Sequence, residues 1–205
     1  MNDSSRGGGK LFLLVGNSGS GKDTLIRCVA ERWPRNSPAL YTPRRYITRP
    51  PHPSEPYISI ERDAFARMRA CQSFFLDWVS YGIHYGLPDD IAAYLEQGAF
   101  VLANVSRDVI DRARKRFAGT RVVFVKVSYA TTAARLRERG RELPRDIGFR
   151  ARLQRARRNP WHPTADYILA NDGDLERAVE NLSSYMMLQR EDAAADRHYL
   201  TGVQS

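Results

Sequence analysis

Cysteine is scarce in this chain. Cys28 and Cys71 are the two in 205 residues, and their spacing gives neither a metal-binding set nor a disulfide framework. Both are expected to be reduced and packed, Cys28 on the inner face of a helix. No run of about 18 apolar residues exists, which excludes a membrane-spanning helix. Residues 1–9, Met1 to Gly9, are polar and glycine-rich, without the apolar core of a signal peptide. The expectation is a flexible N-terminal tail on a cytoplasmic protein. His52, His162 and His198 form no cluster and suggest no metal role. There is no internal repeat.

Acidic residues are outnumbered: 23 Asp and Glu face 32 Lys and Arg, for a net charge of +9. Such an excess points to an anionic partner. The excess is local, because residues 135–158 hold ten arginines against Glu138, Glu142 and Asp146. That segment lacks the interleaved aromatics of a single-strand-binding surface, which argues against nucleic acid. An arginine-rich lid over phosphates explains the same charge, and the partner expected is a small anionic substrate. Neither a membrane nor a nucleic acid is called for, and a homodimer is left open.

Leu11 to Val15 is wholly apolar, as a parallel strand buried on both faces should be. A helix follows over 23–33, ended by Pro34. Residues 39–88 have a different texture, rich in proline and aromatics. Short strands are expected there near 41–47 and 57–60, with a helix over 62–71. Asp89 and Asp90 are placed to cap a helix that Gly98 ends in the left-handed conformation. Alternation then becomes regular: strand 99–105, helix 107–117, strand 121–127, helices 131–139 and 147–158, strand 167–170, helix 175–188. Strands alternating with helices imply an α/β fold, a central parallel sheet covered on both faces in three layers. The expected organisation is one domain over 10–190, with an acceptor-binding sub-region at about 39–88, a lid at about 137–150, and a polar tail over 191–205.

Between the first strand and helix stands Gly16-Asn17-Ser18-Gly19-Ser20-Gly21-Lys22. This is glycine, four residues, glycine, lysine, in the strand-to-helix setting of a P-loop. Its amides and the helix N-terminus cradle phosphates, and Lys22 reaches the β/γ-phosphates of ATP. The next residue is Asp23 instead of the usual Ser or Thr, with Thr24 after it. A carboxylate there can hold Mg²⁺ directly or through water. Thr24 or Ser20 can contribute instead, or Asp23 can simply favour the helix dipole. The three readings stay open.

The remainder resembles the guanylate kinase family over nearly its whole length. Ile47-Thr48-Arg49-Pro50-Pro51 with Glu55 is similar to its acceptor-phosphate segment, and Phe75 to Trp78 with His84-Tyr85-Gly86 to its acceptor-binding segment. Leu136 to Gly140 with Arg152-Leu153 resembles the lid and its two arginines, and Asp166 to Ile168 with Asn171-Asp172 the strand and loop beside adenine. Departures bear on the acceptor. Leu87-Pro88 stand where a guanine-reading hydroxyl is expected, His52 where a second arginine is, and Asn104 and Ser106 where paired aspartates are. A purine edge left without its partner discriminates strongly against guanine.

The same departures are similar to the narrower family of ribose 1,5-bisphosphate phosphokinases of bacterial phosphonate breakdown. The matching segments are Lys22-Asp23, Arg45 to Arg49, Trp78 with Gly82, Tyr85 and Gly86, Asn104 to Arg107, and Arg139 to Glu142. The resemblance implies ATP- and Mg²⁺-dependent phosphorylation of that sugar. Lys22, Arg139 and Arg152 are then catalytic. Gly16 to Thr24 and Asn171 hold ATP, Asp23 serving the metal, and Arg45, Arg49, Asp77, Tyr85, Asn104 and Ser106 hold the acceptor. Trp78 and Tyr85 either flank the sugar or are core, and His84 is a polar wall. The competing readings are a nucleoside monophosphate kinase and a non-catalytic interaction module on the same fold. The retained Lys22 argues against the module.

Overall fold

The computed structural model describes residues 8–51, 56–138, 147–158 and 164–200. Its centre is strand β1, Lys10–Val15, flanked by β7, Phe100–Asn104, on one side and β8, Thr120–Lys126, on the other. Strand β2, Leu40–Tyr41, and β9, Tyr167–Ala170, form the edges of this all-parallel sheet, whose order is β2-β7-β1-β8-β9.

The apolar run of β1 follows from its position. Side chains alternate faces along a strand, so Leu11, Leu13 and Val15 join one core with Val101, Ala103, Ile110 and Phe124. Phe12 and Leu14 join a second core on the other face. There they meet Leu25 and Val29 of helix α1, Lys22–Arg32, and Leu182 and Met186 of α7, Leu175–Leu200. Leu11 to Val15 are completely buried, each worth about 1.5–3 kcal/mol of transfer free energy. Cys28 belongs to this second core, as expected, whereas Cys71 is exposed. Cys71 follows the last turn of helix α2, Arg62–Ala70, away from either core.

Residues 39–88 depart most from expectation. After β3, Tyr46–Ile47, and β4, Ile58–Ser59, come α2 and then a hairpin, β5, Phe74–Ser80, with β6, Ile83–Pro88. The small sheet runs β4-β3-β6-β5. Tyr81 and Gly82 form the two-residue turn with φ of 51° and 74°, the left-handed pair of a tight hairpin. Opposite the hairpin end, Gly86 lies under the Phe74 ring, and a Cβ there would come within 2.5 Å of it.

Helix α3 spans Ile91–Glu96, and Gly98 closes it with φ of 83°, as expected. The aspartate cap is corrected: Asp90 makes no side-chain capping bond and instead accepts the Tyr41 hydroxyl at 2.9 Å. Burial first, then Asp90, raises the Tyr41 pKa above the ordinary phenol range. A 3₁₀ turn at Arg107–Val109 leads into α4, Ile110–Arg116. Helices α5, Tyr129–Glu138, and α6, Ile147–Arg158, pack together beyond β8. Helix α7 continues past the expected 188 to Leu200. Among the described residues no helix is long and apolar enough to cross a membrane.

Candidate active site

At the carboxyl ends of β1 and β7 opens a cavity of about 630 Å³, lined from the phosphate loop, β3, the hairpin, the β7 end and both helices α5 and α6. A parallel sheet binds its ligands at this edge. The loop takes its shape from its glycines. Gly21 has φ of 86°, and a Cβ on it would strike Asn171 Nδ2 at 2.6 Å. That amide donates to the Ser20 carbonyl at 2.8 Å and so ties the β9 end to the loop. Gly21 gives α1 no side-chain cap, so the first-turn N–H groups remain available to an anion.

Lys22 folds back over its own loop. Its Nζ donates to the Gly16 and Asn17 carbonyls at 3.1 and 2.9 Å and to Ser20 Oγ at 3.2 Å. Three acceptors fix the ammonium at the loop mouth. Ser18, Gly19 and Thr24 also line the cavity, while Ser20 is buried directly behind the loop.

Asp23 joins the two halves of the site. One of its carboxylate oxygens accepts from Arg45 at 2.9 Å and from Asn104 Nδ2 at 2.7 Å. The carboxylate therefore reaches into the cavity from the first turn of α1 and is not spent on a cap. Arg45 is well enclosed, with 13% of its side chain exposed. Arg49 is held by Tyr57, to whose hydroxyl its Nε donates at 3.2 Å and over whose ring the guanidinium lies at 4.9 Å. The Tyr57 hydroxyl in turn donates to the Pro50 carbonyl. Both arginines line the cavity, as do Asn104 and Ser106. Trp78 and Tyr85 stack with ring planes 4° apart and form part of the wall.

Two expectations are overturned by strand alternation. In the hairpin Asp77 pairs with Gly86 and Val79 with His84, whereas Trp78 pairs with Tyr85. The face of Trp78 turns to the cavity, so Asp77 turns away from it. Its carboxylate lies between Arg69 and Arg112, at 3.2 and 3.4 Å. His84 likewise packs against the Phe65 ring in a separate depression with Arg62 and Arg69, and is no wall of this site. Arg139, with Gly140, Arg141, Glu142, His52 and Glu55, lies outside the described residues. Arg152 is in the cavity, its guanidinium 5.0 Å over the Tyr81 ring.

Three arginines in the cavity had been given no role from the sequence: Arg107, Arg135 and Arg155. Arg107 donates to Asn17 Oδ1 at 2.9 Å and lies 5.1 Å over the Phe124 ring. Burial first, then the charge of Arg155, lowers its pKa. Arg135 donates to the Asn171 carbonyl at 3.1 Å. For two of them sequence spacing held the missed signal: Arg135 stands four residues before Arg139 in the helix expected over 131–139, and Arg155 is one turn after Arg152 on α6. In all, seven Lys and Arg side chains and two carboxylates, Asp23 and Glu138, line the cavity. Such an imbalance in a partly enclosed space is offset by bound anions.

Among the described residues no three His, Cys, Asp or Glu side chains gather as a metal cage. The hard oxygens that line the cavity near the loop are the Asp23 carboxylate and the Thr24 hydroxyl, whereas the Ser20 hydroxyl is buried and accepts from Lys22. They suit a Mg²⁺ ion that arrives with a nucleotide and keeps several waters.

Residues 8–189 match the guanylate kinase family model. Over 170 residues the chain is 42% identical to a ribose 1,5-bisphosphate phosphokinase PhnN from Acidiphilium cryptum, covering 83% of this chain and 88% of that protein. A second protein of that name, from Pectobacterium atrosepticum, is 37% identical over 90% of this chain and 97% of its own. Among solved structures, guanylate kinase from Anaplasma phagocytophilum superposes with a TM-score of 0.66 at 16% identity, over 91% of this chain and 87% of the other. That likeness is one of fold.

Proposed function

Since this chain belongs to the guanylate kinase family and, within it, to the ribose 1,5-bisphosphate phosphokinases, we infer that it moves the γ-phosphoryl group of ATP onto the 1-phosphate of ribose 1,5-bisphosphate. An acceptor phosphate oxygen attacks the γ-phosphorus, the bond to the β-γ bridging oxygen breaks, and ADP leaves with 5-phospho-α-D-ribose 1-diphosphate as product. The step belongs to phosphonate degradation in the cytoplasm.

The carrying observation is the Asp23 bridge. It sets Arg45, on the acceptor side, against the phosphate loop within one cavity. The attacking oxygen is already anionic at neutral pH, so no general base is needed. Catalysis reduces to alignment and charge neutralisation. Lys22 and the loop amides hold the donor phosphates, and Asn171 steadies the loop from behind. Asp23 would meet a Mg²⁺ ion brought in with ATP, and that ion would add charge neutralisation. Arg45 and Arg49 hold the reacting acceptor phosphate, with Asn104 and Ser106 at its edge. Arg152 neutralises charge on the transferred group, a role that Arg139 shares by resemblance.

Guanine is disfavoured by Leu87, which is fully buried in the core and offers no polar atom to a base. The test is incubation with ATP–Mg²⁺ and either ribose 1,5-bisphosphate or GMP. Phosphoribosyl diphosphate detected by mass spectrometry supports the reading, and faster turnover of GMP overturns it.

A further inference from the structure

The acceptor just inferred carries a second phosphate that does not react, and the cavity holds cations beyond those needed for the transfer. Arg45 is met by Asp23, and Arg49 is fixed by Tyr57. Arg107 is differently placed. Its Nη2 group donates to the neutral Asn17 side-chain carbonyl, and its Nε is buried with no hydrogen-bond partner. The adjacent Asp108 carboxylate accepts the Ser106 hydroxyl and lies exposed. Arg155 of α6 brings a second positive charge into the same cavity, which Tyr81 of the hairpin turn also lines, and that charge acts on Arg107.

Two guanidinium groups that line one partly enclosed cavity repel each other, and a buried N–H without an acceptor costs further free energy. A dianion relieves both. Arginine forks match phosphate oxygens geometrically as well as electrostatically. The pair comes from the β7 end and α6, whereas Arg45 and Arg49 flank β3, so the cavity has two separately built cationic places. A sugar phosphorylated at both ends asks for two.

We propose that Arg107 and Arg155 form the subsite for the non-reacting 5-phosphate of the acceptor, and so make this chain select a bisphosphorylated sugar over a monophosphorylated one. The proposal rests on the reaction inferred above and adds the source of its selectivity. Arg107 also steadies Asn17 of the phosphate loop, so Arg155 is the cleaner probe.

The experiment compares kcat/KM for ribose 1,5-bisphosphate and ribose 1-phosphate, with ATP saturating, in wild type, Arg155→Ala, Arg107→Ala and Arg107→Lys. Ribose 1-phosphate keeps the reacting phosphate and lacks the other. Arg155→Ala should lower kcat/KM for the bisphosphate by about 10–100-fold, the worth of a charge-assisted contact. The same variant should change the monophosphate by less than about threefold. Arg107→Lys should recover part of what Arg107→Ala loses on the bisphosphate. Equal losses on both acceptors would overturn the subsite while leaving the reaction standing. So would a raised KM for ATP with acceptor selectivity intact, which assigns the pair to the donor. Wild-type turnover of neither acceptor overturns the reaction and the subsite together.

Discussion

The two sheets of this protein are held together by different means. The five-stranded parallel sheet is buried on both faces, and its strands pair through continuous backbone ladders. The four-stranded sheet is built from strands as short as two residues. Many of its cross-links run from side chain to backbone. Arg44 donates to the Tyr57 carbonyl at 3.1 Å, Ser59 Oγ to the Arg49 carbonyl at 2.6 Å, and the His84 amide to Thr48 Oγ1 at 2.9 Å. The large sheet therefore supplies stability through apolar burial. The small sheet supplies position, setting Arg45 and Arg49 at a fixed stance toward the phosphate loop. Substitutions in the two regions should separate into losses of folding and losses of acceptor binding.

The largest effect is expected where the regions meet. Lys22→Ala removes the ammonium that the loop holds through three acceptors. We expect kcat/KM to fall by about 10³-fold or more, about 4 kcal/mol of transition-state stabilisation. The unfolding midpoint should move little, because Lys22 is only half-buried and packs in neither core. A large drop in Tm with activity retained per folded molecule would erase the division drawn here. Leu13→Ala is the converse case. Leu13 is wholly buried in the central strand, and its truncation should cost about 3–5 kcal/mol in denaturant unfolding. The KM values of the protein that remains folded should stay at their wild-type level.

Next in size is Tyr57→Phe. The ring that carries the Arg49 guanidinium stays, and the hydroxyl that orients its Nε is lost. We expect about 1 kcal/mol, read as a roughly fivefold rise in acceptor KM with KM for ATP unchanged. A matching rise in both would mean that the small sheet positions donor and acceptor alike, and the contrast between the regions would have to be redrawn.

The same contrast explains how far the sequence could be read. Two-sided burial forces continuous apolar runs such as Leu11 to Val15 and Val122 to Val125, and these are visible without a structure. The phosphate loop was equally plain, because its glycines and lysine answer to backbone geometry. The hairpin β5–β6 escaped notice. Its turn is Tyr81-Gly82 in place of a familiar Asn-Gly pair, and its alternation is broken by a register shift between Phe74 and Leu76. Missing the hairpin meant missing its parity. Asp77 was therefore placed in the site although Trp78 and Tyr85 own the cavity face. Arg107 was hidden for another reason: its place in the cavity depends on the β7 end meeting the phosphate loop, where it reaches Asn17, and no local spacing records that.

The smallest predicted effect concerns a side-chain staple, of the kind seen in the small sheet, that occurs within the parallel half. The Asp172 carboxylate, in the loop between β9 and α7, accepts the Ser128 backbone N–H at 2.7 Å and so ties that loop to the start of α5. Burial pushes its pKa up, but the bonds from Ser128 and Thr131 outweigh this and hold it below the ordinary aspartate value. A group whose pKa is lower in the folded state stabilises the fold when ionised. Its contribution is present above the unfolded aspartate pKa and is lost as pH falls through the folded value. Asp172→Asn should therefore lower the unfolding midpoint slightly at neutral pH, and the gap from wild type should close in the acid range below the usual aspartate pKa. Thermal unfolding of both proteins across that range is the measurement. A gap that persisted unchanged into acid would mean that the staple works by shape alone, as the neutral hydroxyl bonds of the small sheet do.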